Sequence, residues 1–111
     1  MQTELLTTFT QMMLLELNKA ESKYPVFCNN MFALDNDLQL TKFRLATART
    51  RSDAEKEGGY SFENTIQEEL LEVLEAWGMK DYNACLEELA QCGAVILRAM
   101  EFVKQHSRST I

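Results

Sequence analysis

Four polar side chains at repeated spacing carry the chemistry that this sequence offers. Glu69-Leu70-Leu71-Glu72 is followed, after fifteen intervening residues, by Glu88-Leu89-Ala90-Gln91. Residues three apart on a helix sit about 60° apart around its axis, so each pair shares a face. The first pair presents two carboxylates and the second a carboxylate and an amide. On two helices lying side by side, Glu69, Glu72, Glu88 and Gln91 would surround one hard cation with oxygen ligands. Magnesium, or manganese in its place, takes such ligands and keeps several waters for a phosphate substrate to displace.

The helices that must position these groups are legible in the apolar pattern. Ile66, Leu70, Val73, Leu74 and Trp77 form one stripe, flanked by Glu69 and Glu72. Tyr82, Leu86, Leu89, Gly93, Ile96, Met100 and Val103 form a second, flanked by Glu88 and Gln91. Two amphipathic helices packed by these stripes would bring both polar flanks to a shared edge. The short link from Gly78 to Asp81 makes them antiparallel neighbours, with Asp81 capping the second and Ser61 the first.

Two further helices precede them. Leu5, Leu6, Phe9, Met12, Met13, Leu17 and Ala20 predict a first helix over 3–23, capped by Thr3 and stopped by Tyr24-Pro25. A loop over 24–36 follows. It is apolar enough (Val26, Phe27, Met31, Phe32, Leu34) to pack over the helices or against a second subunit. A helix over 37–57 has only a thin apolar line, Leu38, Thr41, Leu45 and Ala48, and ends at Gly58-Gly59. The fourth helix is expected to run to about Gln105, with a frayed polar tail from His106.

Composition narrows the class. The 111 residues suit one domain, here 1–111, with a modest core. One Pro, four Gly and no alternating apolar run point to an all-α fold. The surplus of apolar surface on so short a chain predicts a homodimer or tetramer, with the first helix and the following loop at the interface. The net charge of −6 opposes general nucleic-acid binding. With no run of eighteen apolar residues, no membrane span is expected. The start, Met1-Gln2-Thr3-Glu4, lacks the basic and apolar regions of a signal peptide. Cys28, Cys85 and Cys92 lack metal-site spacing and read as small apolar residues without disulfides, as expected in a reducing cytoplasm.

Charge is unevenly distributed. Lys42, Arg44, Arg49, Arg51 and Lys56 supply five of the eleven basic residues within fifteen positions, and eight of the seventeen acids lie between Glu63 and Glu88. Beside an acidic pair, such a basic helix suits a metal-bound polyphosphate. As ordinary solvated faces, the same runs would need no ligand. Arg98, seven residues after Gln91 and on the same helical face, could meet a phosphate or pair with Glu88 or Glu101. Glu68 and Glu75 lie away from the paired face and read as surface residues. Glu68 would join the site only if the helix were rotated. Trp77 sits on the apolar stripe and reads as core.

Gln67-Glu-Glu-Leu-Leu-Glu-Val-Leu-Glu-Ala-Trp77 with Glu87-Glu-Leu-Ala-Gln-Cys-Gly-Ala-Val95 resembles the signature of the MazG-type all-α nucleoside triphosphate pyrophosphohydrolases, ExxE, a spacer, then ExxD. The likeness covers about residues 59 to 103. It implies a small four-helix bundle-like domain, oligomeric and Mg²⁺-dependent, that cleaves a nucleoside triphosphate to monophosphate and pyrophosphate as nucleotide-pool house-cleaning. By position, Glu69, Glu72 and Glu88 match three of the family's metal ligands, and Gln91 stands where the family has Asp. Glu69 or Glu72 would assist proton removal, while Arg49, Arg51, Lys56 and Arg98 would meet phosphate charge. Gln91 also leaves open a catalytically weak or inactive relative that binds nucleotides or a protein partner.

Overall fold

In the computed structural model of the protein, residues 1–109 are described, with side chains as far as residue 107. The described residues form four helices, α1 (Thr3–Lys23), α2 (Leu38–Glu55), α3 (Phe62–Gly78) and α4 (Tyr82–Ser109), and no strand. The chain is therefore all-α. Among the described residues, no helix is long and apolar enough to cross a membrane. The helices divide between two compact units: Met31–Ile96, and Met1–Asn30 with the end of α4 from Leu97.

The larger unit holds α2, α3 and the first half of α4. α2 and α3 run antiparallel: Ala48 and Leu45 share a buried cluster with Leu71, and Ser52 reaches Glu68. Asp37 caps α2 by accepting from the Leu40 amide at 2.9 Å, and Ser61 caps α3 by accepting from Asn64 at 3.2 Å. Each satisfies an amide that has no partner within its helix, worth about 1 kcal/mol. α3 then meets α4, also antiparallel, through Val73, Ala76, Cys85 and Cys92, with Trp77 and Met31 packed against them.

The turn between α3 and α4 differs from expectation in a useful way. Gly78 is not the left-handed residue; it stays in the helix, and Lys80 takes φ +59°. The Lys80 amide donates to Trp77 O and the Asp81 amide to Ala76 O, both at 3.0 Å, which closes the helix with a Schellman pair. Gly78 serves packing instead. A Cβ there would lie 2.9 Å from Leu38 Cδ1 and 3.1 Å from Phe32 Cζ.

The apolar stripes also need correction. α3 buries Leu71 along with Val73 and Ala76, whereas Leu70 is exposed, because α2 and α4 cover different sides of it. On α4 the buried line is Cys85 and Cys92, with Glu88 between them; Tyr82, Leu86, Leu89, Ile96 and Val103 are exposed. Cys85 Sγ reaches Val73 O at 3.6 Å, so the face of α4 that packs is rotated from the most apolar one.

In the smaller unit, α1 buries only Phe9, and Leu5 and Met13 are half-buried. Thr3 is not its cap: Gln2 holds that position without a side-chain bond. In the loop, Met31 and Phe32 are half-buried as expected, but Val26, Phe27 and Leu34 are exposed. Cys28 is exposed as well, unlike the other two cysteines, and all three are free. The tail from His106 is helical to Ser109, with the His106 ring stacked on Phe102; the rest of that expectation lies outside the described residues.

Candidate metal centre

The antiparallel register of α3 and α4 determines which polar groups meet. Cys85 Sγ lies 3.6 Å from Val73 O, which sets the two helices side by side at that level. One turn further, Glu72 faces Glu88, and a turn beyond that Glu69 faces Gln91. One carboxylate oxygen from each of Glu69, Glu72 and Glu88 lies within 4.8 Å of the other two. All three residues are half-buried. The Gln91 amide faces the same cluster. With its nitrogen inward it donates to Glu69 Oε2 at 3.1 Å and to Glu88 Oε2 at 3.2 Å. An amide oxygen in that position would meet two carboxylates and be repelled, so the nitrogen orientation is favoured when no cation intervenes.

Crowded carboxylates respond electrostatically. Burial holds the Glu69 carboxyl above its ordinary range, and the charges of Glu72 and Glu68 add to the effect. Glu72 is also raised, first by burial, then by a hydrogen bond with Glu88 and by that neighbour's charge; Arg49 opposes the shift. The Cys92 thiol is pushed up by burial and then by Glu69, Glu88 and Glu72, so it remains a neutral packing group beneath the cluster. Three carboxylates thus meet a single guanidinium, and negative charge is left over.

α2 supplies that guanidinium. Arg49 Nη2 lies 3.4 Å from Glu72 Oε1 and Arg49 Nε 3.9 Å from Glu68 Oε1. Ser52, buried at the same helix interface, donates to Glu68 Oε2 at 3.3 Å. Glu68 is therefore half-buried and held by α2, where the sequence suggested a surface residue. Its partners belong to a helix distant in sequence, and no local pattern announces them.

Of the four basic residues matched to phosphate, Arg49 alone makes an ion pair with this cluster. Arg51, about 200° around α2 from Arg49, lines a groove between α2 and α3 instead. Lys56 is the exposed C-cap of α2. Arg98 is exposed on α4 and falls in the smaller unit. Trp77 packs on the core and against Tyr82, with ring centroids 5.3 Å apart, as its stripe position implied.

The arrangement can hold a hard divalent cation through carboxylate oxygens, and its three glutamates are only half-buried. It contains only oxygen donors from Glu69, Glu72, Glu88 and, after rotation of the amide, Gln91. Neighbouring oxygens on an octahedral magnesium would stand about 2.9 Å apart, from bonds of about 2.05 Å, so a spread within 4.8 Å would close by side-chain movements of up to about 2 Å. Comparison of the chain with protein-family models, with curated proteins and with solved structures gave no match.

Proposed function

We propose that this chain is a Mg²⁺- or Mn²⁺-dependent nucleoside triphosphate pyrophosphohydrolase of the MazG type, releasing a nucleoside monophosphate and pyrophosphate. One observation carries the reading: Glu69, Glu72 and Glu88, from two helices, converge to within 4.8 Å with Gln91 beside them. The convergence follows from the same ExxE and ExxQ spacing that supports the family resemblance. The uncompensated charge supports a dication as the resident partner, since it would offset the burial, and after it the neighbouring carboxylate charge, that raise Glu69 and Glu72.

When bound, the cation would neutralise triphosphate oxygens and make water a better nucleophile. The residues divide the remaining work. Glu69 or Glu72 takes the proton from the attacking water. Glu68, anchored by Ser52, holds Arg49 at the cluster's edge. Arg49 is half-exposed and able to exchange Glu72 for a phosphate oxygen, which makes it the first candidate for charge stabilisation on the departing pyrophosphate. With a cation bound, Gln91 would offer its amide oxygen in place of its nitrogen.

Assembly as a homodimer or tetramer belongs to the same proposal. Tyr82, Leu86, Leu89 and Ile96 are between 40% and 66% exposed along one side of α4. Gly93 lies among them with nothing within 4 Å of where its Cβ would be. A glycine inside a helix costs about 1 kcal/mol relative to alanine, and close approach of another helix is a physical reason to keep one there.

The test is pyrophosphate release from a panel of ribo- and deoxynucleoside triphosphates, with Mg²⁺, with Mn²⁺ and with chelator. Cation-dependent release from at least one triphosphate is expected. No release from any of them at millimolar cation would refute the enzyme reading. Saturable nucleotide binding without turnover would then favour an inactive relative, a reading that the inward Gln91 amide also supports.

A further inference from the structure

α2 and α3 enclose a concave surface apart from the acidic cluster, an open groove of about 390 Å³. Its floor is aliphatic, from Ala48, Leu71 and Leu74. At its mouth Phe43 is 70% exposed and Leu70 48%. Arg44 and Arg51 stand on its α2 side, seven residues and therefore about 10.5 Å apart along the helix. No acidic side chain lines the groove, and neither arginine makes an ion pair among the described residues. An apolar trough with two unspent guanidiniums is out of character for a chain of net charge −6.

We infer that this groove docks an acidic amphipathic helix of a partner protein. The trough between two antiparallel helices accepts a third by ridge-into-groove packing, with apolar side chains at i, i+3, i+4 and i+7 on its floor. Carboxylates seven residues apart on the incoming helix match the spacing of Arg44 and Arg51. A nucleic acid fits less well: two cations neutralise little of a polyphosphate, the floor is aliphatic, and the remaining surface repels it. Symmetric pairing of two copies through this face would bring four guanidiniums together and bury none of them against an acid. The inference is independent of the acidic cluster and of any hydrolytic activity.

The experiment uses the whole protein and a fluorescent Ala/Leu helix of about 18 residues, long enough to be helical. Leucines are set at the spacing above, with Glu seven apart in one version and Lys in the other. Anisotropy titrations at low salt should show saturable binding of the Glu peptide and little of the Lys peptide. Arg44→Glu or Arg51→Glu should each weaken the Glu peptide about tenfold. The double reversal should exchange the preference, so that the Lys peptide binds better. Both arginines are exposed, and circular dichroism verifies that the variants fold. Equal binding of both peptides, no effect of the reversals, or no saturation at hundreds of micromolar would overturn the inference. Tighter binding of a single-stranded oligonucleotide than of the Glu peptide would also overturn it, in favour of a phosphate ligand.

Discussion

Gln91 is the point at which the proposed metal centre is most exposed to test. Its amide nitrogen bridges Glu69 and Glu88 at 3.1 and 3.2 Å, so it occupies the place of a weak cation. Gln91→Glu keeps the reach and exchanges a donor for a charge; Gln91→Asp does so one methylene shorter. Without metal, the change removes two hydrogen bonds to charged acceptors, each worth about 1.5 kcal/mol when well shielded. Gln91 is exposed, so about half of that sum is the better expectation, a loss near 1.5 kcal/mol. With metal, the new carboxylate meets a dication at about 4 Å. At a water-like dielectric that is about 2 kcal/mol, or about thirtyfold tighter binding. Urea unfolding in chelator and calorimetric Mn²⁺ titration measure the two effects separately. The combination expected of Gln91→Glu is lower stability without cation and higher affinity for it. If both quantities match wild type in folded protein, Gln91 does not face a cation site and the assigned α3–α4 register is wrong.

Four other changes test the remaining links. Glu72→Gln should abolish most pyrophosphate release and weaken Mn²⁺ binding at least tenfold, because it removes one of three ligand charges; unchanged turnover would remove Glu72 from the mechanism. Raised folded-state values for Glu69 and Glu72 mean that their contribution to stability is fully present below about pH 4.5 and lost as the pH rises through those values. Thermal melts of the cation-free protein should show that loss relative to a Glu69→Gln, Glu72→Gln double variant, and Mn²⁺ at neutral pH should reverse it in wild type alone. Gly78→Ala should destabilise by about 1 kcal/mol, since overpacking against Leu38 and Phe32 exceeds the gain in helix propensity; denaturant midpoints decide. Leu86→Lys with Leu89→Lys should yield monomer in light scattering if the exposed α4 face joins copies, whereas identical masses for variant and wild type would exclude that face.

How much the sequence disclosed depended on whether the signal was local. Caps and link lengths are local, and Ser61 and Asp81 start helices where their side chains predict, although Thr3 does not cap α1 and the Asp37 cap is not singled out in the sequence. The pairing of Glu69, Glu72 and Glu88 was legible because two i, i+3 pairs on antiparallel neighbours can meet with little further information. Which face of α4 packs was not legible. Apolar content favoured Leu86 and Leu89, but Cys85 and Cys92 take the interior and leave both leucines exposed. The same rotation moves Glu88 from the edge of the packed face to its middle. There, half-buried between two cysteines, it forms the centre of the acidic cluster rather than a solvated flank.

The division of labour on α2 was hidden for a related reason. Its basic residues look like one patch in sequence, yet Arg49 and Arg51 point about 200° apart. α3 lies between those directions and separates them chemically. On one side it offers Glu68 and Glu72, which engage Arg49; on the other it offers Gln67, Leu70 and Leu74, which leave Arg51 unpaired in an apolar groove. One thinly apolar helix therefore serves two surfaces of opposite character, and a net count of its charges describes neither. Removing Arg49 and removing Arg51 should consequently be separable in experiment: the first alters the acidic cluster, the second the groove.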